Sequence, residues 1–214
     1  NVEVTEHDSG DKTYTYTIKK GLKYSDGEEI TADDFIFSFL FRAHPAWREV
    51  ATMESTGQDL LGYDSYVKGE SDVFEGVEKV DDYTFALTID GNALPYYFED
   101  IIVSGGPEPM HAWFKDAKLN EKGNGFDNSV DEIKAAVEYV STKERYAPTV
   151  VSGPYVFESF ENNTTVLTKN KEYQGNFEGK VPSIEKIVLR LVQSDVVVQS
   201  IEKGEVDLFP GNIE

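Results

Sequence analysis

Residues 12–19, Lys-Thr-Tyr-Thr-Tyr-Thr-Ile-Lys, alternate polar and apolar side chains, and the types are β-branched or aromatic. A period of two places one set of side chains on each face of a pleated ribbon, so this stretch predicts a half-buried strand. Ser25-Asp26-Gly27 follows with turn chemistry, since Gly tolerates positive φ and Asp bonds the backbone ahead of it. Thr31 then stands as a helix N-cap with Asp34 three residues on, a capping box built with the shorter acid. The helix is predicted over residues 32–42, with Phe35, Phe39 and Leu40 on one face, Ile36 beside them, and Pro45 ending it. A switch from period two to period 3.6 this early commits the chain to packing helices on sheets, a mixed α+β architecture.

The rest of the chain repeats that mixture. Residues 48–61 predict a helix and 63–68 a second, short one. Residues 77–80 and 83–89 predict a hairpin turning at Asp81-Asp82, with Phe85, Leu87 and Ile89 on one face. Residues 95–102 predict a short helix, and Pro109 opens another through Lys115. The polar, glycine-bearing stretch 118–129 predicts a loop or mobile surface insertion. Residues 130–143 carry apolar side chains at 130, 133, 137 and 140, a helical stripe that Pro148 stops. A second hairpin is predicted from 155–160 and 164–169, then a strand over 184–192 and a helix over 194–203 that Gly204 ends. Residues 206–209 predict a further short strand. The change of character places a module boundary at residues 146–152.

Composition removes several functions. Hydrophobic residues make up 39% of 214, with 13 Phe and 12 Tyr, which supplies a core and excludes disorder. The 40 acidic residues against 20 basic give a formal charge of −20, which repels phosphate backbones and anionic membranes. That charge serves solubility, or else a preference for cationic ligands. There is no cysteine, hence no disulfide, thiolate nucleophile or cysteine-based zinc site. No uninterrupted apolar run reaches the roughly 18–20 residues of a membrane helix. Neither a signal peptide nor a lipid-attachment cysteine stands at Asn1, so the chain is expected to be processed or cut from a longer protein.

The inventory of reactive groups is thin. His7, His44 and His111 lie far apart and read as surface or packing residues, without the spacing of a helical metal pair. No nucleophile elbow and no phosphate-cradling loop is present, and Gly105-Gly106 reads as a turn. The acid pairs Asp33-Asp34, Asp81-Asp82 and Glu99-Asp100 suit solvated turns and helix starts better than acid–base chemistry. Asn162-Asn163-Thr164-Thr165 contains two overlapping glycosylation sequons, yet in a hairpin these are turn residues first. Trp47, Tyr63 and Trp113, together with Tyr96 and Tyr97, are candidates for lining a ligand cleft, with core packing the alternative. No catalytic residue, metal ligand or cofactor is expected.

Four stretches carry a resemblance. The segment from Lys12 to Phe35, Lys-Thr-Tyr-Thr-Tyr-Thr-Ile-Lys-Lys-Gly-Leu-Lys-Tyr-Ser-Asp-Gly-Glu-Glu-Ile-Thr-Ala-Asp-Asp-Phe, resembles the strand, Ser-Asp-Gly turn and helix start of family 5 solute-binding proteins. Val80-Asp-Asp-Tyr-Thr-Phe-Ala-Leu87 is similar to that family's following strand. Ser152-Gly-Pro-Tyr-Val-Phe157, then Lys169-Asn-Lys-Glu-Tyr173, resemble its Gly-Pro-Tyr hairpin and Asn-x-x-Tyr element. Residues 184–191 followed by Ile201-Glu-Lys-Gly-Glu-Val-Asp207 are similar to its strand, helix and Gly-Glu-x-Asp. Two departures stand out: Gln174 where a tryptophan is usual, and Pro107-Glu-Pro-Met-His111 as a loose match to a Pro-Lys-His segment.

The resemblance implies a fragment of a type II periplasmic-binding-protein-like fold, mixed sheets flanked by helices. Residues 1–148 would be the additional domain of the larger members, with edge strands of lobe I, and 149–214 part of ligand-binding lobe I. It implies a non-enzymatic, substrate-binding component of an ABC importer that captures oligopeptide or dipeptide-like ligands. Its partners would be that ligand and the permease subunits, with the membrane reached only through a lipid anchor outside this stretch. Its place would be outside the cytoplasmic membrane. A cell-surface interaction or signalling module on the same fold is the alternative, and a secreted hydrolase domain a third.

Overall fold

The computed structural model describes residues 1–51, 56–192 and 196–209. In chain order the elements are β1 (Val2–Glu6), β2 (Lys12–Thr17), α1 (Ala32–Ala43), α2 (Tyr63–Val67), β3 (Val77–Asp81), β4 (Thr84–Ile89), α3 (Glu99–Ile102), α4 (Met110–Trp113) and α5 (Val130–Tyr139). Then come β5 (Tyr155–Glu161), β6 (Thr164–Lys169), β7 (Lys186–Arg190) and α6 (Val197–Glu202). Two sheets result, one ordered β1-β2-β4-β3 and one β5-β6-β7, with every pairing antiparallel. The mixed α+β architecture expected from the periodicities is what forms.

The first sheet, α1, and a layer of α4 and α5 stack in that order. Tyr14 pairs with Leu87 and Tyr16 with Phe85, so the aromatic side of β2 and the apolar side of β4 share a face. Ile36, Phe39 and Leu40 of α1 pack on that face among Phe85, Leu87 and Ile89. The opposite side of the same helix presents Phe37 and Phe41 to Trp47, Phe114, Ile133 and Val137. Helix α1 is apolar nearly all round because it is buried on both sides. The helix starts as its capping residues require: the Asp34 carboxylate accepts the Thr31 backbone N–H at 2.8 Å. It stops at His44, whose ψ of 139° is the extended geometry that a following proline imposes.

Both hairpins form where the alternation placed them. At the first turn Asp81 Oδ1 accepts the Tyr83 N–H at 2.7 Å. At the second, Asn162 and Asn163 have φ of 51° and 57°, the two left-handed residues a twisted two-residue hairpin needs. Gly204, at φ 71°, follows the last helical turn of α6.

Other expectations are corrected. The helix over 48–61 does not form: a π-helical turn covers Trp47–Ala51, and Gly57 and Asp59 are left-handed at φ 91° and 71°. Leu60 instead bridges Ile89 of β4, beyond the residues that β3 pairs, while 52–55 lie outside the described residues. The helix over 95–102 shrinks to α3, leaving Tyr97 90% exposed. Pro109 caps α4 rather than opening it, and α4 ends at Trp113, short of Lys115. Stretch 118–129 is a loop but a packed one: Asn124 is buried and Phe126 lies among Phe37, His44 and Phe114. Its backbone also joins the body, through Asn124 O to Phe74 N at 2.7 Å and Lys122 O to Lys79 N at 2.8 Å. In the stripe of α5, Ile133, Val137 and Val140 are buried but Val130 is not. Residues 206–209 form no strand, and the strand over 184–192 is confined to β7. Helix 194–203 starts at Val197 as observed, with 194 and 195 outside the described residues. Strand β1, exposed along its whole length, was not expected.

Candidate functional site

The aromatic cleft candidates separate into two places. Trp47, 2% exposed, and Trp113 both face Arg42, whose guanidinium carbon lies 4.9 Å and 5.8 Å from their ring centroids. Trp113 also lines a concavity of about 390 Å³ between α4 and α5, beside Phe114, Ala136 and Tyr139. Tyr63, on α2, packs 6.0 Å from Phe74 in the cluster under the sheet. The structure therefore brings Trp47 and Trp113 together and leaves Tyr63 apart. A second concavity, about 320 Å³, lies at the sheet face by Tyr16, Phe35, Phe39 and Phe85, with Asp100 at its rim.

Arg42 belongs to a buried polar node. Its guanidinium pairs with Glu108, and burial pushes the Glu108 carboxyl up while Arg42 pulls it back. Asp34 is raised as well, again by burial, with the Thr31 and Met110 N–H groups opposing. Tyr24 is wholly buried, and its hydroxyl is raised by burial and by the charges of Asp34 and Glu108. At the margin His111 Nε2 meets Asp26 Oδ2 at 2.8 Å. Burial pulls Asp26 up, but His111 and the Glu28 N–H outweigh it and hold the carboxyl below its ordinary range. The second oxygen of Glu108 and the indole N–H groups of Trp47 and Trp113 find no hydrogen-bond partner among the described residues. Arg42 and Glu108 were not singled out in the sequence; their spacing of 66 residues gave no local signal.

Of the remaining histidines, His44 packs and His7 lies on the surface. His44 accepts the Ala46 N–H on Nδ1 at 3.1 Å, with Tyr66 and Phe126 edge-on to its ring. Burial lowers it to about 4, so it is neutral at physiological pH. His7 bonds Thr13 at 2.8 Å on the surface. Among the described residues no three His, Cys, Asp or Glu side chains are placed to hold a metal ion. No described helix is long and apolar enough to cross a membrane.

Part of the resemblance meets at the junction of the two sheets, where Gly21, Lys23 and Ser25 of the first stretch face Gln174, Glu172 and Val151. Ser25 donates its N–H to Val151 O at 2.9 Å and accepts the Val151 N–H on Oγ at 3.1 Å. Asn170, 3% exposed, donates Nδ2 to Gly153 O at 2.8 Å, its N–H bonds Pro154 O at 2.9 Å, and its Oδ1 accepts the Glu172 N–H. The asparagine of the Asn-x-x-Tyr element thus clasps the Gly-Pro of the hairpin. Each such bond contributes about 0.5–1.5 kcal/mol net. Gln174, at the position that departs from the usual tryptophan, donates to Gly21 O across the junction. Lys23 and Glu172 lie 3.9 Å apart beside it, an exposed pair of the kind that contributes about 0.2–1 kcal/mol.

Comparison with known proteins matches this arrangement. The sequence profile of bacterial extracellular solute-binding proteins, family 5 middle, covers residues 3–213. The oligopeptide-binding protein OppA of Lactococcus lactis subsp. cremoris is 23% identical over 209 residues, 96% of this chain and 31% of that protein. The periplasmic oligopeptide-binding protein OppA of Salmonella typhimurium is 23% identical over 205 residues, 94% of this chain and 33% of that protein. This chain therefore spans about a third of these relatives' length. Among solved structures, lactococcal OppA in complex with an endogenous peptide superposes with a TM-score of 0.66 at 18% identity, over 96% of this chain and 35% of that one. A periplasmic EDTA-binding protein, EppA, gives 0.63 at 20% identity, over 96% and 32%. These folds are of the periplasmic binding-protein kind. With the profile spanning nearly every residue, the chain belongs to family 5 of the bacterial extracellular solute-binding proteins.

Proposed function

We propose that this chain is part of the substrate-binding component of an ABC importer, which captures oligopeptide or dipeptide-like ligands outside the cytoplasmic membrane and delivers them to the permease. The match of the family 5 profile over residues 3–213 carries the reading. The named relatives that bind oligopeptides favour peptide as the ligand class. In this reading residues 1–148 are the additional domain with edge strands of lobe I, and residues from 149 onward contribute to lobe I. The exposed apolar side chains Val188 and Leu189 of β7, flanked by Ile184 and Leu191, suit a sheet that is one layer of a larger lobe. The three cleft candidates divide: Trp113 lines an open concavity, Trp47 is buried against Arg42, and Tyr63 packs on Phe74.

Native mass spectrometry of the full-length protein, purified gently beside the 214-residue chain, tests the proposal. Adducts of peptide mass on the full-length protein alone support it, because a cleft needs both walls to bury most of a ligand. Absence of adducts after a peptide library, with binding to metal chelates instead, replaces peptide by chelate, the ligand class of the EDTA-binding neighbour. No binding to either library overturns the transport reading.

A further inference from the structure

The loop between α4 and α5 contains Asn124-Gly125, a dipeptide with a chemistry of its own. Glycine has no side chain to shield its backbone nitrogen, so that nitrogen can reach the carboxamide carbon of the asparagine before it. Once the Gly125 nitrogen has lost its proton it attacks Asn124 Cγ. A C–N bond closes a five-membered imide, and the side-chain nitrogen takes up a proton and leaves as ammonia. Water then opens the imide at one carbonyl to give aspartate, or at the other to give isoaspartate. No cofactor, oxidant or enzyme enters this balance.

The fold holds both reacting groups. Leu119 and Phe126 bridge at the neck of the loop, and Asn120 braces its inside. The Asn120 N–H donates to Gly125 O at 3.0 Å, and its carbonyl accepts the Gly123 N–H at 2.9 Å. Its side chain meets Asn124 with both ends: Nδ2 donates to Asn124 Oδ1 at 2.9 Å, and Oδ1 accepts the Asn124 N–H at 3.0 Å. The Asn124 carbonyl in turn accepts the Phe74 N–H at 2.7 Å, and Asn124 as a whole is buried. The carboxamide that must swing onto the Gly125 nitrogen is thus tied at its oxygen, and the backbone on either side of it is tied as well. Cyclisation waits for these bonds to part, so its rate is the open fraction of the loop multiplied by the rate of the free dipeptide.

The product does not fit back. Isoaspartate lengthens the main chain by a methylene, and this stretch has no space for one. A Cβ on Gly125 alone would lie 2.4 Å from the Asp72 carbonyl oxygen and 3.0 Å from Asn120 Nδ2. The lengthened loop therefore loses the bonds from Asn124 O to Phe74 N and from Lys122 O to Lys79 N that join it to the body.

We propose that Asn124-Gly125 is a latent deamidation site, guarded by Asn120, which records openings of the 119–126 loop irreversibly. The site is independent of the ligand class, and its test reads a covalent change rather than binding.

The full-length protein is incubated at mildly alkaline pH, folded and in urea, and peptide mapping by mass spectrometry follows conversion at Asn124. The folded wild type is expected to convert at least about tenfold more slowly than the same protein in urea. Asn120→Ala is expected to raise the folded rate about tenfold, with the exchange of the α1 amides as in the wild type. Equal rates for the folded and the urea-treated wild type overturn the proposal, and that comparison stands whether or not Asn120→Ala folds. A folded Asn120→Ala that converts no faster than the wild type overturns it too. So does faster conversion accompanied by faster α1 exchange, which makes general unfolding, not the loop, the gate.

Discussion

Arg42 and Glu108 form an ion pair across α1 and the loop before α4, sheltered between the indoles of Trp47 and Trp113. Removing one partner leaves the other charge half-buried and unpaired, a loss of about 1–3 kcal/mol, below that of a fully buried pair. Arg42→Met alone is expected to destabilise by that amount in urea unfolding. Arg42→Met with Glu108→Gln is expected to cost clearly less, because the stranded carboxylate is gone. A double variant no more stable than Arg42→Met would show that packing on the indoles, not the charge, dominates.

Glu108 also sets a direction with pH. Its folded value is raised above the ordinary 4.5, so the folded state holds its proton longer than the unfolded chain does. Stability from this group is greatest below about pH 4.5 and declines as pH rises through the raised value. Relative to Glu108→Gln, the wild type is expected to lose stability as pH rises above about 4.5 and to level off once the raised folded value is passed. Paired urea titrations at half-unit steps measure the difference, and a flat difference would refute the assignment.

His44 works in the opposite sense. Its folded value, about 4, lies below the ordinary 6.5, so acid charges the unfolded chain first. The stability it contributes is present above pH 6.5 and is lost as pH falls toward 4, by at most ~3 kcal/mol and less for its partial exposure. His44→Asn keeps an acceptor for the Ala46 N–H and removes the titration. The variant is expected to unfold at lower pH than the wild type when circular dichroism follows the acid transition.

Gly76 sits where a side chain has no room. A Cβ there would lie 2.7 Å from Leu61 N, 2.8 Å from Leu61 O and 2.9 Å from Thr88 O, all backbone atoms. Gly76→Ala is expected to destabilise by about 1–3 kcal/mol, since the bridge between Leu61 and Thr88 has to part. Hydrogen exchange at the Leu61 and Thr88 amides localises the effect, and unchanged protection there would contradict it.

Asn170→Ala removes the part-buried bond to Gly153 O, a cost of about 0.5–1.5 kcal/mol. Faster exchange of the Asn170 and Glu172 amides, with the α1 amides unchanged, is the expected signature.

Much of the fold was legible because its signals are local. Alternation at 12–19 and 83–89, the Thr31-Asp34 cap and the Asn162-Asn163 turn each act over a few residues, and each formed. The failures lie where tertiary contacts outweigh local pattern. Residues 48–61 read as one helix, but Gly57 and Asp59 turn left-handed and Leu60 bridges Ile89 of β4. Phe126 sits in a stretch that reads as polar loop, and only the facing Phe37 and Phe114 make it a core residue. Among site residues, the aromatics could be named from type alone. Arg42 with Glu108 and Asn170 with Gly153 depend on which segments meet, and no periodicity reports that. Of the stretches that carried the family resemblance, the first reaches the sheet junction, where Ser25 exchanges two hydrogen bonds with Val151.

The exposed apolar side chains of β7 and the unpaired edge of β1 bear on how this stretch of chain behaves when handled alone. Both invite self-association, one through hydrophobic contact and the other through strand addition. The formal charge of −20 opposes this at neutral pH by mutual repulsion between molecules. Salt or mild acid weakens that repulsion while leaving the apolar face and the free edge in place. Solutions of the isolated stretch should therefore turn turbid with acidification before the chain unfolds, and dilute, low-salt buffer near neutrality is the condition in which it stays dispersed.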